Sequence, residues 1–155
     1  MGFNWSPVSE DRIAELQPPL IKVLTEFALI IPAPLTCNVA QALRTADEEM
    51  AIWLSCHNPD GTRNDNDWKT NCNGYPLGVI APNGVRGTGE SNHQGGYAVD
   101  LAVIVNGVYI TALEPYHTVA TYMAQAAKNV NEHIIYGGSW PAPKTDSDHW
   151  ELDRA

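Results

Sequence analysis

The run Tyr97-Ala-Val-Asp-Leu-Ala-Val-Ile-Val105 constrains this chain more than any other feature. Its β-branched and apolar residues suit a buried strand, so the chain must fold around a sheet that holds a carboxylate, Asp100, within an otherwise apolar segment. Such a carboxylate has to be paired, hydrogen-bonded or bound to a metal. Two readings fit it: an aspartate satisfied by backbone amides beside a surface histidine, and a member of a site. The preceding stretch, Ser91-Asn-His-Gln-Gly-Gly96, sets His93 seven residues before Asp100. An odd offset points two side chains to opposite faces of an ideal strand. Gly95 and Gly96 supply the bend that would let them meet.

At 155 residues the chain is expected to form a single domain over residues 1–155, long enough to bury a core. A net charge of -9 and a pI near 4.8 argue against a nucleic-acid partner, which phosphate chemistry would match with clustered Lys and Arg. No apolar run reaches the length of a membrane span and no basic face is present, so no stable membrane association is expected. The start, MGFNWSPVSEDR, lacks the basic and apolar regions of a secretory signal, giving the expectation of a protein made in the cytoplasm. Cys37, Cys56 and Cys72 contain no CxxC pair; Cys56 and Cys72 bracket a polar stretch and are either disulfide-bonded or free buried thiols.

Ser9, followed by Glu10 and Asp11, predicts a helix start. Leu20, Leu24, Phe27 and Ile31, with Ile21 and Ala28, continue at helical spacing after Pro18-Pro19 and stop at Pro32 and Pro34. Leu35 to Leu43 reads as a strand, and Thr45-Ala-Asp-Glu48 as a capping box opening a helix through Met50, Trp53 and Leu54. Residues 57–90 are rich in Asn, Asp, Gly and Pro and read as a long loop insertion bordering the site. Its Asp60, Asp65 and Asp67 do not match a calcium-binding EF-hand spacing and read as a solvated turn. Asn106-Gly107 signals a hairpin returning through Val108 to Ala112, and Pro115 opens a helix with the stripe Val119, Tyr122, Met123, Ala126, Ala127, Val130. Ile134 to Tyr136 and His149 to Leu152 read as strands around a Gly137-Gly138 turn, and the order of elements predicts an α+β fold.

The last strand supplies a partner for the opening pair. In TDSDHWEL, His149 follows Asp146 and Asp148 and precedes Glu151. His93, Asp100 and His149 form a two-histidine, one-carboxylate set, the donor type of catalytic zinc sites that leave a fourth position for water. A nearby carboxylate then serves as general base.

Ser91-x-His93-x-x-Gly96-x-Ala98-x-Asp100 resembles the S-x-H-x-x-G-x-A-x-D motif of the zinc D-Ala-D-Ala carboxypeptidase and L-alanyl-D-glutamate endopeptidase superfamily. IIYGGSWPAPKTDSDHWEL resembles the bacteriophage endolysin branch, with its Trp-Gly-Gly-Asp-Trp stretch followed by D-x-x-H-F-E-L, and QALRTADEE is similar to that branch's E-G-x-R-T-x-x-E-Q segment. The resemblance spans about residues 9–55 and 88–153.

The resemblance implies a single-domain fold of helices packed on a small, mainly antiparallel sheet. It implies Zn2+ held by His93, Asp100 and His149, and Asp146 as catalytic base on the loop entering the last strand. Arg44 would hold the substrate near the scissile carbonyl and Ser91 would contact substrate or a ligand, with Tyr136 and Trp140 lining the groove or packing as aromatic core. Asp148 reads as a support for the site or a solvated group ahead of being the base itself; Glu151 either orients a ligand or faces solvent. His57, His117 and His133 match no motif position. The implied protein is a monomeric hydrolase, an endolysin cutting the L-Ala-D-Glu bond of peptidoglycan stem peptides. It would act on the wall in the periplasm after release and bring about cytolysis. Competing readings are a D-Ala-D-Ala carboxypeptidase and a non-catalytic zinc-containing cell-wall-binding module. Gln41, Tyr136 and Ser139 depart from the branch pattern, as does the 57–90 segment, and these departures bear on the bond cleaved more than on the metal.

Overall fold

The computed structural model describes residues 2–43, 48, 92–93, 95–142 and 145–153. Arg44, Ser91, Cys56, Cys72, most of the helix expected after Thr45 and the whole 57–90 segment lie outside the described residues; Glu48 alone of that helix is described, and it is helical.

The chain opens with α1 (Pro7–Ala14), capped not by Ser9 but by Ser6, whose Oγ accepts the Ser9 N–H at 3.2 Å. Pro7 at the first helical position needs no N–H acceptor, which moves the start one turn earlier than the acidic pair suggested. Ser9 instead is buried inside the helix, its Oγ accepting the Val39 N–H at 2.9 Å. A link through Leu16 and Gln17 leads to α2 (Pro18–Ile30), where Pro18 and Pro19 occupy positions whose N–H groups have no intrahelical partner.

β1 (Leu35–Gln41) ends two residues before the expected Leu43; its ladder slips between Val39 and Gln41 and closes on the Gln41–Asp100 pair. β2 (Ala98–Val105) turns at Asn106 and Gly107, with φ of 51° and 79°, into β3 (Val108–Tyr109). Positive φ at both positions is the turn whose twist suits a hairpin. The return strand is shorter than 108–112, since α3 (Leu113–Asn129) begins two residues before Pro115. β4 (Ile134–Tyr136), a 3-10 turn (Gly137–Ser139) and β5 (His149–Leu152) complete the described elements.

The strands form one antiparallel sheet in the order β1-β2-β5-β4, with β3 on β2. Thus β5 inserts between β2 and β4, pairing Asp100 with His149 and Trp150 with both Val99 and Tyr136.

One face of this sheet is covered by helices. Val99, Leu101 and Val103 of β2 and Trp150 and Leu152 of β5 join Leu20, Val23, Leu24, Phe27 and Ile31 with Val119, Met123 and Ala126 in one core. Strand alternation then sends Asp100, His149 and Glu151 to the other face. Cys37 lies in this core, and burial pushes its thiol up to about 12. The residues expected in the helical stripes are buried or half-buried as read, and the fold is α+β.

Phe27 anchors the helical layer: it is fully buried and meets Phe3 and Trp5 with ring centroids 6.2 Å away in each case. Phe27→Ala is expected to lower stability by about 3–5 kcal/mol, measured by urea unfolding of the metal-free protein. A loss under 1 kcal/mol would show that the aromatic cluster is not part of the cooperative core.

Candidate metal centre

Asp100 and His149 are brought together by register. They face each other across β2 and β5, and His149 Nδ1 lies 3.0 Å from Asp100 Oδ1. His93 reaches the same place from the turn before β2, with Nε2 at 3.2 Å from His149 Nδ1 and 3.3 Å from Asp100 Oδ1. The turn is closed by Tyr97 N–H to the Asn92 carbonyl at 2.8 Å and Gly96 N–H to the His93 carbonyl at 3.2 Å. Gly96 has φ +76°, which favours glycine, and a Cβ there would sit a tight 3.1 Å from the Glu15 carbonyl oxygen.

Three donor atoms thus form a triangle with edges of 3.0–3.3 Å. A tetrahedral ion bound at about 2.0–2.2 Å separates its ligand atoms by roughly 3.3–3.6 Å, so His93, Asp100 and His149 could hold a metal ion with their donor atoms opening by a few tenths of an ångström.

The groups behind the ligands fix which nitrogen is offered. His93 Nδ1 is 3.0 Å from the Ala42 carbonyl, which accepts only from N–H, leaving Nε2 with its lone pair toward the triangle. His149 Nε2 is 2.8 Å from Glu151 Oε2, leaving Nδ1 for the metal. Of the two surroundings expected for Glu151, the structure places it against His149 rather than in solvent; Glu151 also bonds Asn92. Neither Ala42 nor Asn92 stood out in the sequence. The first acts through its backbone and the second fills a variable motif position.

Burial disfavours the charge on Asp100, yet the hydrogen bond from His149 and the closeness of the His93 ring outweigh it and hold its carboxyl well below the ordinary range. Burial pulls His149 down, but hydrogen bonds to Asp100 and Glu151 prevail and raise it to about 9. In the metal-free protein His149 is therefore an imidazolium at neutral pH, its Nδ1–H directed at Asp100 and His93. For Glu151 burial is likewise outweighed, and the bonds from His149 and Asn92 lower it.

Asp146 lies on the loop entering β5, where the resemblance placed it, and its N–H donates to the Gly137 carbonyl at 2.9 Å. Gly137 is packed so closely that a Cβ would fall 2.5 Å from the Asp146 carbonyl oxygen and 3.0 Å from His149 Cβ. Carboxylate oxygens of Asp146, Asp148 and Asp100 lie within 4.8 Å of one another. Burial first, then the hydrogen bond to Asp146 and the charges of Asp100 and Asp146, raise Asp148 to about 8, so Asp148 keeps a proton to share with Asp146. Trp140 leans over His149 with centroids 5.1 Å apart. Tyr136 instead stacks on Trp150 at 4.9 Å.

This arrangement of three described helices on an antiparallel sheet with a two-histidine, one-aspartate cluster is a DD-peptidase-like fold. Among solved structures it is similar to the L-Ala D-Glu endopeptidase ChiX of Serratia marcescens, with a TM-score of 0.68 and 18% sequence identity, over 97% of this chain and 90% of that one. No family model and no curated protein sequence matches the chain.

Because a metal must displace the Nδ1 proton of His149, apparent zinc affinity is expected to rise about tenfold per pH unit from pH 7 toward 9 and then level off. Over the same range the metal-free protein should lose stability. His149 is raised above the ordinary histidine value, so its contribution is complete below about pH 6.5 and disappears as pH passes 9. Chelator competition and thermal melts across pH 6–10 check both; affinity flat with pH would show that His149 carries no proton in the metal-free site.

Proposed function

We propose that the protein is a zinc-dependent peptidoglycan peptidase that hydrolyses the L-Ala-D-Glu bond of stem peptides, of the phage endolysin kind. The observation that carries this reading is the convergence of His93 Nε2, Asp100 Oδ1 and His149 Nδ1 within 3.0–3.3 Å, with the Asp146 carboxylate beside them, in a DD-peptidase-like fold. Two neutral nitrogens and one carboxylate suit zinc in kind and in number. The likeness to an L-Ala D-Glu endopeptidase and the resemblance of TDSDHWEL to the endolysin branch favour the endopeptidase bond over removal of a terminal D-Ala.

Zinc, when bound, supplies a water of lowered pKa and polarises the scissile carbonyl. The chain does the rest. His93, Asp100 and His149 converge on one face of the sheet, and the side toward Asp146 is assigned to the substrate. Asp146 takes the proton of the attacking water and returns it to the departing D-Glu amine. Asp148, sharing its proton with Asp146, holds that carboxylate in orientation. Trp140, standing over His149, forms one wall of the groove. Arg44 and Ser91 are assigned to the substrate carbonyl and to support of the ligands through their motif positions alone. The protein would act as a monomer on the wall in the periplasm after release from the cytoplasm.

Asp146→Asn should reduce cleavage of purified peptidoglycan by on the order of 10²- to 10⁴-fold while bound zinc stays at the wild-type level. An amide can neither accept the proton of water nor deliver it. His117→Ala, on an exposed position of α3, is the control and should leave the rate unchanged. Mass spectrometry of the released fragments identifies the bond: a new N-terminal D-Glu is expected, whereas loss of a terminal D-Ala would replace the endopeptidase with a carboxypeptidase. Zinc bound with no fragment released from any wall type would reduce the site to a binding module.

A further inference from the structure

His93 is the ligand that no strand ladder holds. Asp100 and His149 are fixed by their pairing, but His93 sits in the turn before β2 and depends on two outside anchors: the Ala42 carbonyl on its Nδ1, and the path of the turn itself. Both anchors are gripped from one direction.

Ala42 follows the slip in β1, where the free edge of the strand turns toward α1. There Ser9 Oγ accepts the Val39 N–H at 2.9 Å. Arg12 Nη1 donates to the Val39 carbonyl at 2.6 Å and to the Ala40 carbonyl at 3.2 Å. Two side chains one turn apart on α1 thereby hold the strand end that presents the Ala42 carbonyl. Gln17, in the link to α2, makes two bonds to the turn: its N–H to the Gly96 carbonyl at 3.0 Å and its Nε2 to the Gly95 carbonyl at 2.9 Å. The same link packs on Gly96, where Glu15 and Leu16 occupy the space of a side chain.

α1 itself buries little, since only Ser9 and Ile13 of its residues are buried. Its contribution to the fold is therefore concentrated in these polar contacts rather than in core packing. We propose that α1 and the α1–α2 link are a positioning clamp for the metal ligand His93, with Arg12 setting the carbonyl that selects its tautomer and Gln17 setting the turn that aims its ring. The inference rests on the metal reading above but not on the peptidase reaction.

The clamp is tested on the full chain, stripped of metal and titrated with zinc alone against a chromophoric chelator. Arg12→Met keeps the aliphatic stem and removes the donors. Gln17→Glu keeps the length and sets a carboxylate against the Gly95 carbonyl. Each is expected to weaken zinc binding about 10- to 100-fold, the range found when groups behind metal ligands are lost. Arg12→Lys, which retains one donor, should recover part of the loss. Two references separate positioning from general stability: Lys22→Met removes an exposed ion pair to Glu132, and Val119→Ala removes core volume in α3. Both should bind zinc within twofold of wild type while folded.

If Arg12→Met and Gln17→Glu also bind within twofold, the clamp is overturned. It is equally overturned if Val119→Ala weakens zinc as much as they do, because affinity then follows stability. Should Arg12→Met fail to fold, Gln17→Glu and Arg12→Lys decide. A wild-type chain that binds no zinc overturns the metal centre, and the clamp with it; a zinc-binding wild type with unaffected variants overturns the clamp alone.

Discussion

A carboxylate in the middle of a core strand is the constraint around which this molecule is arranged. Asp100 cannot be turned inward, because its neighbours Val99 and Leu101 already fill the space under α2 and α3. It must find positive partners on the other face, where solvent is partly excluded and charge is costly. The register that inserts β5 between β2 and β4 answers this demand by setting His149 directly opposite, and the turn built on Gly96 adds His93. The sheet order and the site are thus one solution to a single electrostatic problem.

The outer groups follow from the inner ones. A histidine offered to a metal must have its other nitrogen protonated and occupied, or the ring rotates and the tautomer drifts. Ala42 and Glu151 meet that requirement in chemically different ways, a neutral carbonyl for His93 and a carboxylate for His149. The difference has an electrostatic result: His149, between two carboxylates, is the histidine of the pair pushed above the ordinary imidazole range.

What the sequence made legible was whatever depends on near neighbours. The apolar run into Val105, the Asn106-Gly107 turn and the α3 stripe are local patterns, and each appears where periodicity placed it. The grouping of His93, Asp100 and His149 was legible from motif spacing, while the sequence left Glu151 open between a partner of the site and solvent, and its contact with His149 decides for the former. Elsewhere long-range contacts prevailed. Ser9 has the surroundings of a cap, but its hydroxyl serves Val39, thirty residues on, and Ser6 caps instead. β1 stops at Gln41, with the Val39 and Ala40 carbonyls turned to Arg12 and the Ala42 carbonyl just beyond it turned to His93, and backbone carbonyls carry no signature in a sequence. Gln17 was invisible for the same reason, as its partners are the carbonyls of two glycines.

Cys37 has a consequence outside the site. Its thiol is packed among core side chains and held protonated to about 12, so it offers almost no thiolate, the species through which oxidants and disulfides react. The described thiol is thus insulated from redox chemistry by its position.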